Sequence, residues 1–173
     1  MPVYVLRSDI AADQTPHLSS DETITLRPMA DGHGTLFQVF DAEEEARAVR
    51  QGDVYELLLE VDGPSQDVPS HAVYAIWRIK NPAQVEAFID SRKQLFELRR
   101  RVLPHFTFDW LLKSLDQPDQ FLVLGLYGDE ESATRLCREH PEIQHFIRQH
   151  AQATLEAEDL TGMCCFVVEQ YAT

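Results

Sequence analysis

The stretch His71-Ala-Val-Tyr-Ala-Ile-Trp-Arg-Ile-Lys80, followed by Asn81-Pro82, decides the predicted fold. Its density of Val, Ile, Tyr and Trp indicates a buried strand. Asn81 can cap a following helix, and Pro82 suits the first helical position because its missing N–H would be unpaired there anyway. From Val85 apolar residues recur at a spacing of mostly three or four until Pro104, which predicts one long amphipathic helix.

Two strands are predicted after this helix, over residues 105–113 and 120–127. Apolar and polar residues alternate along the first of them, so it should have one buried face and one solvent-facing face that carries Asp109. A helix then opens at Gly128-Asp129, Pro141 restarts it as a segment to about Gln152, and residues 163–168 form a last strand. The order β-α-β-β-α-α-β predicts an α+β, ferredoxin-like antiparallel sheet with helices on one face.

Residues 1–62 are predicted to form a small β-rich α+β unit of order β-β-β-α-β. Its strands are expected at residues 3–6, 23–27, 35–40 and 54–61, with a polar loop over 8–21 and a helix over 42–50 capped by Asp41. This unit looks like a reduced copy of the C-terminal plan in which the loop replaces the first helix. Gly63 to Ser70 contains two prolines and reads as a linker, so residues 71–173 form the second predicted domain.

A four-stranded sheet with helices on one side leaves its other face bare. Apolar side chains such as Val73, Trp77, Leu124 or Leu126 must be covered there, and a second sheet is the economical cover. We therefore expect a two-sheet barrel. The second sheet comes either from another copy of the chain, as a homodimer, or from residues 1–62, as an intrachain pseudo-dimer.

Charge and cysteine content narrow the class of protein. The net charge is −14, and residues 1–70 carry −10 of it (14 acids, 4 bases), which disfavours nucleic acid and anionic membranes as partners. No apolar stretch approaches the ~20 residues of a membrane span, and no export signal is recognisable at the start, so a cytoplasmic location is expected. The three cysteines are too few and too clustered for a disulfide framework, which predicts free thiols.

The segments Asp129-Glu-Glu-Ser-Ala-Thr134 and His140-Pro-Glu-Ile-Gln-His-Phe146 carry a family resemblance. They are similar to the acidic helix and the following Pro-containing, aromatic-ended segment of the antibiotic-biosynthesis-monooxygenase family. The layout, with a β-rich unit ahead of such a domain, also resembles the two-domain branch that includes haem-degrading monooxygenases. The resemblance implies a dimeric α+β barrel and oxygen chemistry, and it favours the homodimer over the pseudo-dimer.

Cofactor-free members of this family oxidise an aromatic, anionic, quinol-like substrate without metal or haem, and the resemblance implies such a small-molecule monooxygenase here. Trp77, Trp110 and Tyr127 on three neighbouring strands are candidates to line its pocket, although aromatic residues at buried strand positions usually only pack. Arg78 is a ligand candidate because a buried guanidinium requires an anionic partner. His145 and His150 complete the candidates, and no catalytic residue is assigned.

Two alternatives remain open for the function. In a non-catalytic binding or regulatory member, side chains would fill the space between sheet and helices. In a haem-degrading member, the resemblance places the functional positions at Ile76 or Trp77, Cys137 and Ile147. None of these is the residue type that the family has at that position. His150 could therefore serve as an axial ligand of the haem iron only if the helix were shifted.

The remaining chemistry-bearing groups have simple explanations. His140, His145 and His150 are spaced by five, which puts successive side chains about 140° apart on a helix, so no metal site is predicted. The basic residues Arg92, Lys93 and 99–101 complement the negative end of the long helix, or else clamp an anion.

Overall fold

Strands from both sides of residues 63–70 form one closed barrel in the computed structural model, which describes residues 1–150 and 157–172, and each side contributes four contiguous strands. The strands are β1 (Tyr4–Ile10), β2 (Thr23–Pro28), β3 (Gly34–Phe40), β4 (Asp53–Asp62), β5 (His71–Ile79), β6 (Phe106–Ser114), β7 (Gln120–Tyr127), β8 (Ala157–Asp159) and β9 (Cys164–Ala172). The helices are α1 (Glu43–Ala48), α2 (Val85–Val102), α3 (Cys137–Glu139) and α4 (Pro141–Gln149), with a 3₁₀ turn at Pro82–Gln84 and a π-helical turn at Ser132–Leu136.

The strand order has an internal two-fold pattern. Within the first half β1 pairs with β3 and β4, and β3 pairs with β2; within the second half β5 pairs with β7 and β9, and β7 pairs with β6. The halves join at both of their edges, because β4 pairs with β6 and β9 pairs with β2. All these pairings are antiparallel, and short β8 extends one edge of β5. The N-terminal unit therefore has the strand plan of the C-terminal one, as expected.

The barrel interior is an apolar core built by both halves. Val5, Phe37 and Tyr55 belong to the same buried cluster as Tyr74 and Trp110. The face that the sequence leaves bare is thus covered by strands of the same chain, so two chains do not pair their C-terminal sheets through it. Association of two chains through another surface stays a prediction, as does the division into two domains.

The outer faces of the two halves are covered differently. In the C-terminal half α2, α3 and α4 pack on the sheet over a second buried cluster that includes Phe88, Phe96 and Phe121. In the N-terminal half α1 covers a much smaller cluster, and residues 11–22 form a loop where the second half has α2. The prediction of an antiparallel sheet with helices on one face is confirmed for the C-terminal half.

Several local predictions are confirmed. The side chain of Asn81 accepts the backbone N–H of Ala83 at the start of the helical region, and Pro82 follows it. Helix α2 then runs from Val85 to Val102 as expected. Residues 63–70 contain no helix or strand, and their role as a linker between domains stays a prediction.

Other predicted element boundaries are wrong, and the structure gives a physical reason for the differences. Strand β1 reaches Ile10, since residues 8–10 pair with β3 rather than starting the loop. Helix α1 is shorter than predicted, and its N-cap is Ala42 without a side-chain hydrogen bond, so Asp41 does not cap it. Strand β9 extends to Ala172 because it pairs with both β5 and β2. Helix α4 ends at Gln149, and the predicted continuation to about residue 152 falls partly outside the described residues.

Candidate functional site

The three aromatic candidates do not share one pocket. Trp77 and Tyr127 lie on the helix-covered face of the C-terminal sheet, in the cluster under α2. Trp110 points into the barrel, where it stacks on Phe108 at 4.8 Å between ring centroids and donates its indole N–H to Glu60. Neighbouring strands were predicted correctly, but side chains on them point to opposite faces. The predicted aromatic cleft is therefore split between the two cores.

The polar candidates lie near the surface. Arg78 is 41% exposed and faces Asp119 at 3.5 Å, so the expected buried guanidinium is not at this position. His145 is exposed on α4. His150 follows the end of α4, where its ring stacks on Phe146 at 3.9 Å and its Nδ1 lies 3.0 Å from the Phe146 carbonyl oxygen. None of these three groups points into the space between sheet and helices.

A buried ion pair occupies that space instead. Arg99 of α2 donates from Nη1 to Asp109 Oδ2 of β6 at 3.0 Å, with side-chain exposures of 7% and 0%. The Nε of Arg99 also donates to the Cys137 carbonyl oxygen at 3.2 Å. The prediction that Asp109 faces solvent is wrong because α2 covers the outer face of β6 and supplies the matching charge. We refer to Arg92, Arg99, Asp109, Tyr127 and Cys137 as the Arg99–Asp109 cluster.

The cluster contains polar atoms that meet no hydrogen-bond partner among the described residues. They are Asp109 Oδ1 and Arg92 Nε, both buried. Gly125 lies opposite Asp109 on β7 and leaves room for the carboxylate, since a Cβ there would be 2.5 Å from Asp109 Oδ1. Buried polar atoms usually find partners, so unpartnered ones mark a place where another polar group can bind.

Burial shifts the pKa values of the cluster. It raises the pKa of Asp109, and the guanidinium groups of Arg99 and Arg92 oppose that rise. It lowers the pKa of Arg92 to about 10, helped by repulsion from Arg99. Burial also raises the pKa of the Tyr127 hydroxyl and of the Cys137 thiol. At neutral pH two guanidinium groups therefore face one carboxylate, and the excess positive charge suits an anion.

Arg92 connects the cluster to the surface. It is only partly buried, and its guanidinium lies 5.3 Å from the Phe88 ring centroid. Phe88 in turn packs against Trp77 at 6.4 Å between ring centroids. No ion pair to Arg92 occurs within residues 1–150 and 157–172. Arg92 and Arg99 are seven residues apart on α2 and so share a helix face. Arg92 thus places a cation beside a pair of packed aromatic rings, of which Trp77 is the partly exposed one.

The residues at the positions implied for haem do not fit that group. Ile76 points into the barrel core, Cys137 is buried and its thiol contacts the Ala133 carbonyl oxygen, and Ile147 is 42% exposed. His145 and His150 lie away from the helix-covered space, as described above. At these positions the side chains therefore offer no axial ligand. His71 lies on the same sheet face as Tyr127, and its Nδ1 is 2.9 Å from the Ser70 hydroxyl.

Sequence reasoning identified some members of the Arg99–Asp109 cluster but not their pairing. Arg92 and Arg99 were recognised as members of a basic patch, but the helix end alone explained them. The signal that could have found the pair is Asp109, an acid within a strand that has helices packed on its outer side. An acid at such a position requires a cation from the covering helix.

The described part of the chain contains neither a metal-binding cluster nor a membrane-spanning helix. No three His, Cys, Asp or Glu side chains converge there as a metal site. None of its helices combines the length and apolar character needed to span a bilayer. All three cysteines are free, as predicted.

Comparison with known proteins gives similarity in structure but not in sequence. No protein-family profile matches the chain. No curated protein sequence matches it either. Among solved structures, an anthrone oxidase-like protein matches with a TM-score of 0.67 and 12% identity over 98% of this chain and 92% of that one. A ferredoxin-fold protein related to antibiotic biosynthesis monooxygenases from Listeria monocytogenes matches with a TM-score of 0.65 and 13% identity over 98% and 95%.

Two further matches have other activities in their descriptions. A haem-degrading enzyme from Listeria monocytogenes matches with a TM-score of 0.56 and 12% identity over 96% of this chain and 99% of that one. A major regulator of staphylococcal pathogenesis matches with a TM-score of 0.61 and 11% identity over 95% and 98%. At these identities the shared property is the fold. The chain therefore has the ferredoxin-like α+β barrel fold of proteins related to antibiotic-biosynthesis monooxygenases, which confirms the expected resemblance at the level of structure.

Proposed function

We propose that the protein is a cofactor-independent oxygenase that oxidises a small, anionic, hydroxylated aromatic compound. The observation that supports this is the excess positive charge of the Arg99–Asp109 cluster beside the rings of Phe88 and Trp77. A substrate oxygen that loses its proton gains most from an unpaired guanidinium in a partly desolvated site. Arg92 is the group that contacts it, while Asp109 holds Arg99 in place.

The reaction needs molecular oxygen as its co-reactant. In the proposed step Arg92 stabilises the deprotonated, electron-rich form of a ring compound that carries a reactive CH₂ group. This form is oxidised by O₂: the two C–H bonds are lost, one oxygen atom becomes the new carbonyl and the other leaves as water. Overall, R₂CH₂ and O₂ give R₂C=O and H₂O. Trp77, which is partly exposed and packs on the buried Phe88, positions the ring, and no metal or cofactor takes part.

Anthrone is a suitable probe because one structural match is anthrone oxidase-like. We expect the protein to accelerate oxygen uptake over the buffer rate, with one O₂ consumed per anthraquinone formed. Arg92→Met should lower kcat/KM by at least roughly tenfold, since a charge-assisted contact of about 1.4 kcal/mol or more is lost. Lys93→Met, which changes the adjacent exposed cation, should have little effect. Equal rates with and without protein would contradict the proposal.

A non-catalytic binding or regulatory role is the second candidate. It is favoured by the tight packing under α2, where Phe88, Phe96 and Phe121 are fully buried and fill much of the space. The fold match to a staphylococcal regulator is compatible with it. In this case a hydroxylated aromatic anion should raise Tm in an Arg92-dependent manner, while oxygen uptake stays at the buffer rate.

Haem binding is the candidate that the residues favour least. We expect a haemin titration to give no sharp Soret shift, and His150→Ala to change the titration little, because the positions that the resemblance implies carry Ile76 or Trp77, Cys137 and Ile147. A tight complex that depends on His150 and turns over with a reductant would contradict this expectation.

A further inference from the structure

The outer face of the N-terminal half presents a row of side chains to the loop of residues 11–22. Ser8, Leu36 and Thr25 lie directly opposite one another on β1, β3 and β2, and therefore on the same face. In the C-terminal half the corresponding face is packed by α2. Here the 18 residues of that helix are replaced by a loop, which fills less of the space.

Two cavities flank the part of this loop that crosses the sheet. One has a volume of about 400 Å³, and Ser8, Leu36 and Gln38 are among the residues that line it. The other has a volume of about 290 Å³ and is lined by Thr25 and Gly34 among others. Ile10 and Pro16 line both cavities, so residues 11–17 stand between them.

One residue that lines the smaller cavity, Thr25, carries an unused hydrogen-bonding group. Thr25 is only 7% exposed, and its buried hydroxyl has no hydrogen-bond partner among the described residues. By contrast the Ser8 hydroxyl donates to the Gln51 carbonyl oxygen, and the Gln38 amide oxygen accepts from the Ser19 N–H. A buried hydroxyl without a partner is costly, which makes Thr25 the group that a ligand can satisfy.

Charge limits the kind of ligand. Residues 1–70 carry a net charge of −10. The cation that lines the smaller cavity, Arg27, is exposed and already paired with Glu169 at 2.9 Å. Anions are therefore disfavoured, in contrast to the Arg99–Asp109 cluster. Aliphatic walls from Ile10 and Pro16 suit a ring.

We propose that the smaller N-terminal cavity is a second ligand site, which binds a small neutral ring compound through a hydroxyl group bonded to Thr25. The ring packs between Ile10 and Pro16. This site is separate from the Arg99–Asp109 cluster and does not depend on the oxygenase proposal.

Resorcinol is neutral at pH 7 and serves as the probe, with benzoate as an anion of similar size. In amide NMR titrations of the full chain, we expect resorcinol to shift residues 10–16 and 25–34, and benzoate to leave them unchanged. Thr25→Val should weaken resorcinol binding roughly five- to tenfold, whereas Thr25→Ser should preserve it. Thr107→Val is the matched control, since Thr107 also has an unpartnered buried hydroxyl but lies on β6.

Several outcomes of these titrations would contradict the proposed ligand site. Shifts confined to other regions, unchanged affinity in Thr25→Val, or equal binding of benzoate would overturn the proposal. Should Thr25→Val fail to fold, Gln14→Trp gives an independent test, because Gln14 is exposed and lines both cavities. We expect the indole to occupy the space and abolish resorcinol binding, and unaltered binding would again refute the site.

Discussion

The two halves of the barrel share one strand plan but differ in what covers their outer faces. The C-terminal half has α2, α3 and α4, and beneath α2 it buries the Arg99–Asp109 ion pair. The N-terminal half has α1 and a loop, and beneath the loop it keeps hydroxyl and amide groups beside two cavities. The comparison shows that the element packed on a sheet face determines which polar groups that face can bury. A long helix can bring a countercharge to a buried acid, whereas a short loop leaves space for a ligand.

The largest effect should come from breaking the ion pair of the C-terminal half. Asp109→Asn leaves Arg99 buried without its anion, so the free energy of unfolding should fall by about 3–5 kcal/mol, or roughly 10 °C in Tm. The double variant Arg99→Met with Asp109→Leu should recover much of the loss. Arg78→Met removes a half-exposed pair and should cost less than about 1 kcal/mol in the same thermal melts. Equal losses for Asp109→Asn and Arg78→Met would contradict this reading.

The next largest effect on stability should come from filling the space that Gly125 leaves for the Asp109 carboxylate. Gly125→Ala puts a Cβ 2.5 Å from Asp109 Oδ1, so we expect a loss of about 2 kcal/mol in denaturant unfolding. Gly128→Ala is the control, because its nearest neighbour would be Ser65 Oγ at 3.4 Å. If both variants were equally stable, the close packing of Gly125 on Asp109 would not hold in solution.

Alkaline pH should weaken the protein through a tyrosine of the N-terminal half. Burial raises the pKa of Tyr55 to about 12 from 10.0. Between these values the folded state keeps a proton that the unfolded state loses, so the free energy of unfolding falls as pH rises from 10 to 12. The fall attributable to Tyr55 should be about 2 kcal/mol, measured by denaturant unfolding across that range. Tyr55→Phe should remove about this share of the dependence and leave the share due to Tyr127 and Cys137, whose pKa values burial also raises. An unchanged slope in this variant would rule out the assignment.

The smallest effect compares helix starts in the two halves. Asn81→Ala removes the side chain that caps the helical region leading into α2, which should cost about 1 kcal/mol. Asp41→Ala should change the stability by less than about 0.5 kcal/mol, because no side chain caps α1. Thermal melts of both variants check this pair, and a larger loss for Asp41→Ala would restore the capping role that the sequence suggested.

The sequence predicted the local elements well where one signal dominated. Asn81-Pro82 and the three-or-four spacing located α2, and Val, Ile and Trp located β5. The site was not found because it depends on long-range pairing. Nothing near Asp109 in sequence shows that α2 lies over it, and alternation alone placed it in solvent. Likewise, Trp77 and Trp110 look equivalent until the register shows that they face opposite cores.

The pairing of the two halves along both edges has a consequence for the order in which the chain can fold. Strand β2 completes its pairing only with β9, and the Arg27–Glu169 ion pair on these strands joins residues 142 positions apart. Residues 23–28 must therefore wait for residues 164–172 to be synthesised before the barrel can close. Long-range pairing of this kind slows folding and leaves strand edges unprotected in the interim. Until β9 is available, the edge of β2 that faces it stays unpaired, and an unpaired strand edge is open to pairing with another chain.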